Sequence, residues 1–190
     1  MSRAWLGGVC LAGLVGMAVA SPPAREDFDP DKSSARFEVH LRMAGDVPGS
    51  FGAIEGELAS AGEGQWRVLA RVDALGLALD GPEWMQRSTR SRSFLDVERH
   101  PVITFTSDPF ARELLRSGGE LGGELTLRGR TRPVVFTLLP ATCKRPGHGC
   151  DIHVLGQISR RAFGMNSQRM WVRDEVGFDF RVRLRHASSP

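Results

Sequence analysis

The stretch that most constrains this chain is Gly122–Pro140, GGELTLRGRTRPVVFTLLP. Leu121, Leu125 and Leu127 share one face at a period of two, and Val134, Phe136 and Leu138 do the same beyond the polar Arg128–Arg132 segment. Successive side chains of a strand point to opposite faces, so the two runs predict the arms of a hairpin. Gly129 can take the positive φ that a tight turn needs, and Pro133 suits a strand start because it has no N–H to donate to a ladder. Thr126 and Thr131 are β-branched and fit a pleat better than a helix. An isolated hairpin is marginal in water, so the rest of the chain must supply more strands.

It does. Ala35, Phe37, Val39, Leu41 and Met43 alternate with Arg36, Glu38, His40 and Arg42, which predicts a strand with one face in a core and the other toward water. Gly45–Ser50 reads as a loop, and Phe51–Leu58 as a second strand in which Gly52 and Gly56 suggest bending or a bulge. Trp66, Val68, Ala70, Val72 and Ala74 mark a third strand, and Pro101–Ser107 a fourth with Ile103 and Phe105 on one face. The hairpin adds the fifth and sixth. Asp151–Ser159 is the seventh, with Ile152, Val154, Gly156 and Ile158 aligned, and Val176, Phe178, Phe180, Val182 and Leu184 mark the last. Asp80-Gly81-Pro82-Glu83 interrupts the pattern and predicts a short helix or ordered loop over 81–95, with Asp80 or Gly81 as cap and Pro82 near the first position. A helical turn or twisted hairpin end is expected around Leu114, and Arg160–Arg173 is irregular. Eight alternating strands mean an all-β fold, either a closed up-and-down antiparallel barrel or a sandwich. The barrel is preferred, because eight strands can close and still hold one small ligand.

Met1–Ala20 carries Arg3, an apolar run from Ala4 to Val19 and a small-x-small site at Ala18-Val19-Ala20, the pattern of a cleaved secretory signal peptide. It predicts a signal over 1–20, a single domain over 21–190 and a periplasmic destination. Cys10 sits within the apolar run rather than at its end, which argues against a lipid-anchoring cysteine. Export makes nucleic acid an unsuitable partner, although the basic residues are nearly all arginine, with Lys32 and Lys144 the only lysines. In an oxidising compartment Cys143 and Cys150, bracketing a Pro/Gly-rich loop, predict a disulfide. The alternative is a metal site using His148 and His153, whose spacing from the cysteines matches no common zinc pattern.

The chain has no G-x-S-x-G elbow, no H-E-x-x-H and no glycine-rich phosphate loop before a helix. Asp96, Glu98 and His100 cluster on one segment, but no nucleophile stands at a defined spacing from them. The residues favour a binding protein over an enzyme, with no resident cofactor and no metal.

Four ordered blocks carry a family resemblance. The first is Asp29-Pro30…Ser33…Phe37-Glu38-Val39-His40 with Gly49-Ser50-Phe51…Gly56. The second is Ser91…Phe94-Leu95-Asp96-Val97-Glu98…Pro101…Thr104-Phe105-Thr106-Ser107. The third is Gly123-Glu124-Leu125-Thr126-Leu127-Arg128-Gly129…Thr131-Arg132-Pro133-Val134, and the fourth is Arg160…Phe163-Gly164-Met165 followed by Asp174-Glu175-Val176. Together they resemble the YceI-like family, periplasmic polyisoprenoid-binding proteins of lipocalin-like fold. The departures are Lys32 where the family often has histidine, Met85-Gln86-Arg87-Ser88-Thr89 where it has Arg-Asp-x-His-Leu, and Leu95 in place of a second phenylalanine.

The resemblance implies an eight-stranded lipocalin-like barrel lined by Phe37, Val39, Leu41, Trp66, Val68, Ile103, Phe105, Phe136, Phe178 and Phe180, with Trp84 and Phe94 added from the segment after the third strand. The expected ligand is a polyisoprenoid, a quinone-like molecule or a long acyl chain, held for storage or transport. Arg87, Arg90 and Arg92 could meet its head group, although solvated surface arginines are the plainer account. Expected partners extend to transient contact with a membrane or membrane oxidoreductase, and to a second copy paired along an exposed edge. Two alternatives stand beside this reading. One is a filled-core interaction or stress-response module; the other is a metal-dependent enzyme using His148, His153 and the cysteines.

Overall fold

The computed structural model describes residues 24–43 and 45–185, so the expected signal peptide lies outside the described residues. Twelve strands form one antiparallel sheet. They are β1 (Arg25–Asp27), β2 (Ser34–Leu41), β3 (Asp46–Ser50), β4 (Ile54–Gly62), β5 (Gln65–Asp73), β6 (Ala78–Leu79), β7 (Val102–Ser107), β8 (Phe110–Ala111), β9 (Gly119–Leu127), β10 (Arg130–Leu138), β11 (Ile152–Ser159) and β12 (Val172–Val182). Two helices, α1 (Glu83–Arg90) and α2 (Leu114–Ser117), and a 3-10 turn at Arg160–Phe163 complete the elements.

The expected eight strands are all present. The count rises because a strand, β3, precedes the expected second one, and because β1, β6 and β8 are short additions. Gly45–Ser50, expected as a loop, mostly pairs as β3 with β2, from Arg36↔Ser50 to His40↔Asp46. The chain then bends at Phe51–Ala53, and β4 turns to pair with β5. Gly52 permits the bend, since a β-carbon there would lie 2.4 Å from an Asp73 carboxylate oxygen. The Phe51 N–H donates to Ala35 O at 2.9 Å and the Gly52 N–H to Asp73 O at 2.9 Å, so hydrogen bonding is handed from β2 to β5 across the bend. This bent strand joins the two ends of the meander β5-β7-β9-β10-β11-β12-β2 and curls the sheet into a lipocalin-like barrel.

The hairpin turns through Arg128 (φ 52°) and Gly129 (φ 66°), both left-handed, the geometry of a two-residue turn that matches strand twist. Its register runs from Arg130↔Leu127 to Leu138↔Gly119. Pro133 sits inside β10 rather than at its start, and this is tolerated because β10 pairs with β11 only at Thr137 and Leu138. The first part of β10 is therefore an edge, where a missing N–H costs no ladder bond.

The core is the inner face of the alternating pattern: Ala35, Phe37, Val39, Ile54, Leu58, Val72, Ile103, Leu121, Leu125, Leu127, Phe136, Leu138, Ile152, Val154, Ile158, Val176, Phe178 and Val182 are buried. One end of the barrel is covered by α2, whose Leu115 is buried, and by the Cys143–Cys150 disulfide loop, with Cα atoms 5.9 Å apart. Gly147 of that loop lies against Leu184, where a β-carbon would come within 2.6 Å of two leucine carbons. The disulfide takes both thiols out of the metal alternative. His148 instead contacts Glu26 at 2.9 Å, and His153 contacts Asp179 at 3.0 Å.

At the other end lies α1. Pro82 itself is the N-cap and offers no side-chain capping bond, so the start rests on proline's fixed φ rather than on Asp80 or Gly81. Among the described residues, no helix is long and apolar enough to cross a membrane.

Candidate functional site

Inside the barrel lies a cavity of about 70 Å³, and every residue lining it is hydrophobic. Of the expected residues, Val68, Ile103, Phe105, Phe136, Phe178 and Phe180 line it. Phe28, Phe51, Leu115, Leu121, Leu125, Leu127 and Leu138 line it as well and were not expected as ligand contacts. Leu121, Leu125 and Leu127 carried the signal, being the alternating inner face of β9. Phe28 and Leu115 had none, because they lie in short elements without periodicity.

Large rings make up much of the wall. Glycines stand opposite them on neighbouring strands. A β-carbon on Gly156 would lie 2.0 Å from Cδ1 of Phe136, one on Gly49 2.4 Å from Cζ of Phe37, and one on Gly123 2.8 Å from Cε2 of Phe105. Each ring thus occupies space that any larger residue would fill, and the barrel axis is left clear.

The rings also form a file. Phe37 to Phe51 is 4.7 Å between centroids, Phe51 to Phe178 6.3 Å, Phe178 to Phe180 5.6 Å, Phe180 to Phe136 5.9 Å and Phe136 to Phe105 5.1 Å. All fall in the range of favourable aromatic pairs. This file leads outward from the cavity. A small void of about 20 Å³ between Phe37, Val39, Phe51, Phe94 and Phe178 shares Phe51, Leu127 and Phe178 with the cavity. On its other side it shares Val39, Thr89 and Phe94 with an open cleft of about 540 Å³ at the α1 end. The cleft is lined by Val39, Leu41, Met43, Val47, Leu79, Trp84, Met85, Phe94, Trp171 and Val172, with Ser88, Thr89 and Gln168 as its polar members.

The remaining expected residues are placed as follows. Leu41 and Trp84 line the cleft rather than the cavity, while Phe37, Val39 and Phe94 stand at the junction. Trp66 packs at the edge of the core beside β8, under the Arg112 guanidinium 4.2 Å from its ring centre. Arg87 pairs with Glu83 at 2.5 Å along the exposed side of α1. Arg90 donates to the carbonyls of Leu75 at 2.7 Å and Leu77 at 3.3 Å, tying the helix to the β5–β6 connection. Neither arginine lines the cleft.

One functional side chain carried only a family signal. Arg160 is 1% exposed and is held almost wholly by backbone carbonyls. Its guanidinium donates to Arg173 O at 2.9 Å, Met165 O at 2.7 Å, Ser167 O at 2.6 Å and Val172 O at 3.2 Å, and lies 5.7 Å from the Phe94 ring centre. These bonds fold residues 165–173 over the barrel rim and set Trp171 and Val172 into the cleft wall. Burial lowers the Arg160 pKa from its ordinary value, with Asp174 opposing and Arg161, Arg169 and Arg42 adding to the effect. The group still stays charged, because arginine titrates far above neutrality. Asp96, Glu98 and His100 lie in the turns after α1. Asp96 is buried with Arg99 4.0 Å away, and the His100 ring covers Gly129.

A family model described as the YceI-like domain matches residues 27–184. BcnA of Burkholderia cenocepacia is similar in structure, with a TM-score of 0.66 at 19% identity over 82% of this chain and 98% of that one. A polyisoprenoid binding domain from Saccharophagus degradans, implicated in plant cell wall breakdown, has a TM-score of 0.60 at 13% identity over 85% and 97%. The Campylobacter jejuni YceI protein has a TM-score of 0.51 at 13% identity over 73% and 84%. No curated protein matches the sequence.

Proposed function

We propose, from the premise that this chain belongs to the YceI-like family, that it binds one long apolar molecule, a polyisoprenoid or an acyl chain, along the aromatic file. The observation that carries the reading is a run of three largely apolar spaces, the cleft, the small void and the interior cavity, in which Val39 and Phe94 wall both cleft and void, and Phe51 and Phe178 both void and cavity. The structural likeness to a polyisoprenoid binding domain supports the ligand class.

The cavity at about 70 Å³ is smaller than the roughly 150 Å³ void that holds benzene in another protein. A chain therefore enters only as the rings between void and cavity turn aside, and Phe51 and Phe178 stand at that step. Each CH₂ removed from water contributes about 0.8 kcal/mol. Micromolar affinity needs about 8.2 kcal/mol net, and association itself costs at least about 4 kcal/mol, so a tail of roughly fifteen or more buried carbons meets it. A polar head remains in the cleft, where Ser88, Thr89 and Gln168 offer hydrogen-bonding groups. Export to the periplasm and a storage or transport role complete the proposal, on the strength of the N-terminal leader pattern.

Native mass spectrometry of protein isolated from a periplasmic extract without detergent tests this reading. A one-to-one adduct that denaturation frees as a prenyl or acyl chain is expected. Bare protein that also fails to take up a quinone analogue would reject it in favour of a filled core.

A further inference from the structure

Four of the large hydrophobic side chains left exposed gather at the α1 end: Met43 at 86%, Met170 at 80%, Trp171 at 61% and Trp84 at 58%. They come from three separate segments, the β2–β3 connection, α1 and the 165–173 segment. Met43, Trp84 and Trp171 share the wall of the cleft. The segment bearing Met170 and Trp171 is held by the Arg160 bonds and by Arg42, whose N–H donates to Trp171 O at 2.9 Å and whose Nε donates to Arg169 O at 3.2 Å. The patch is therefore built into the fold.

Two arginines border it. Arg42 and Arg169 have no carboxylate partner among the described residues, and Arg169 contacts only Asn166 through its side chain, at 3.2 Å. Burial is the main cause of the lowered Arg160 pKa, and Arg169 and Arg42 lie near enough to add to it. An apolar surface bearing two tryptophans and two methionines, edged by arginines without counter-ions, matches the boundary of an anionic bilayer. There indole rings sit at head-group level and arginines meet lipid phosphates. A second copy related by a two-fold axis would set the same arginines near one another, and the like charges would oppose it.

We infer that the α1 end is a docking surface for an anionic lipid bilayer, through which the cleft opens directly onto the membrane. Trp84, Trp171, Met43 and Met170 enter the head-group layer while Arg42 and Arg169 contact phosphates. The inference rests on the apolar-ligand reading for its purpose, since a polyisoprenoid tail could pass from bilayer to cleft without crossing water.

The test uses the chain from Ser21 onward, which contains every core residue among those described, and vesicles of phosphatidylcholine with or without phosphatidylglycerol. No polyisoprenoid is present. Flotation with the anionic vesicles and a blue shift of tryptophan emission are expected. Binding should weaken at least tenfold in high salt, and at least tenfold in Trp84→Ser/Trp171→Ser at an unchanged unfolding temperature. Arg42→Gln/Arg169→Gln should lose the preference for anionic vesicles. Absence of flotation, binding indifferent to both double variants, or sedimentation as a dimer that buries the tryptophans would overturn the inference. Uptake of a quinone analogue by the unaltered protein in vesicle-free solution is measured in parallel. Uptake without flotation refutes docking alone, whereas flotation without uptake refutes the ligand reading and leaves the surface.

Discussion

At the scale of single residues, the interior is shaped by pairing large with absent side chains. Phe136 has room to lie on the wall because residue 156 on β11 is glycine. Replacing Gly156 with alanine puts a carbon 2.0 Å from the ring, so the ring must swing toward the barrel axis or the strands must part. Overpacking of this kind costs about 1–3 kcal/mol. Gly156→Ala should lower the urea midpoint accordingly and reduce uptake of an apolar probe, both read on one preparation. Unchanged uptake at reduced stability would show that the axis near Phe136 is not the ligand path. Alternation marked Gly156 as an inward position, but no sequence window shows which ring covers it. That depends on β11 lying beside β10, with Thr137 opposite Leu155.

At the scale of elements, residues 165–171 ahead of β12 have no regular ladder of their own and rely chiefly on one buried guanidinium, with Arg42 assisting. Arg160→Met keeps the volume roughly constant and removes donors from the carbonyls of Met165, Ser167, Val172 and Arg173. An unsatisfied buried polar group costs about 1–3 kcal/mol, part of which water recovers at the rim. The expected outcome is accelerated amide exchange concentrated over residues 165–172, with the meander strands protected as before. Arg160→Lys should not rescue it, because a single ammonium cannot reproduce a planar fork of donors. Uniform acceleration across the barrel would mean that Arg160 supports the whole sheet. In the sequence this segment reads only as irregular. Its order comes from hydrogen bonds between one side chain and a distant stretch of backbone, which periodicity does not register.

For the whole molecule, ion pairs hold elements together at both ends of the barrel. Glu26 on β1 meets Arg112 and His148 at the disulfide end. Burial raises its pKa, but hydrogen bonds and charge from Arg112 and His148 outweigh this and leave it lowered. At the α1 end the Arg161 side chain, 2.9 Å away, holds Asp174 down to about 2, with Ser159 and the Arg161 N–H assisting against the cost of burial. A carboxylate lowered in the folded state binds protons more readily when unfolded. Its stabilisation is complete above the unfolded value near 3.8 and is lost as pH falls through the folded value. Thermal unfolding temperature should therefore drop between about pH 4 and pH 2, and Asp174→Asn should flatten part of that drop. An identical acid limb in the variant would place the titrating groups elsewhere.

Period-two alternation is a local property that any strand with one buried face must display. The sequence by itself therefore determined the all-β class, the inward face of nearly every strand, the hairpin turn at Gly129 and the ordered blocks of the family. It also marked the cysteine pair, since close spacing in a chain with a secretory leader pattern leaves few other roles. Only the tertiary structure decided what lies next to what. The bend at Phe51–Ala53 that closes the barrel, the aromatic file joining Phe37 on β2 to Phe105 on β7, and the cleft built from Met43, Trp84 and Trp171 all depend on register between strands distant in sequence. Register is the outcome of packing the whole sheet, so the inward faces could be anticipated strand by strand, while the lining supplied by Phe28 and Leu115, the order of the spaces and the surface at their mouth could not.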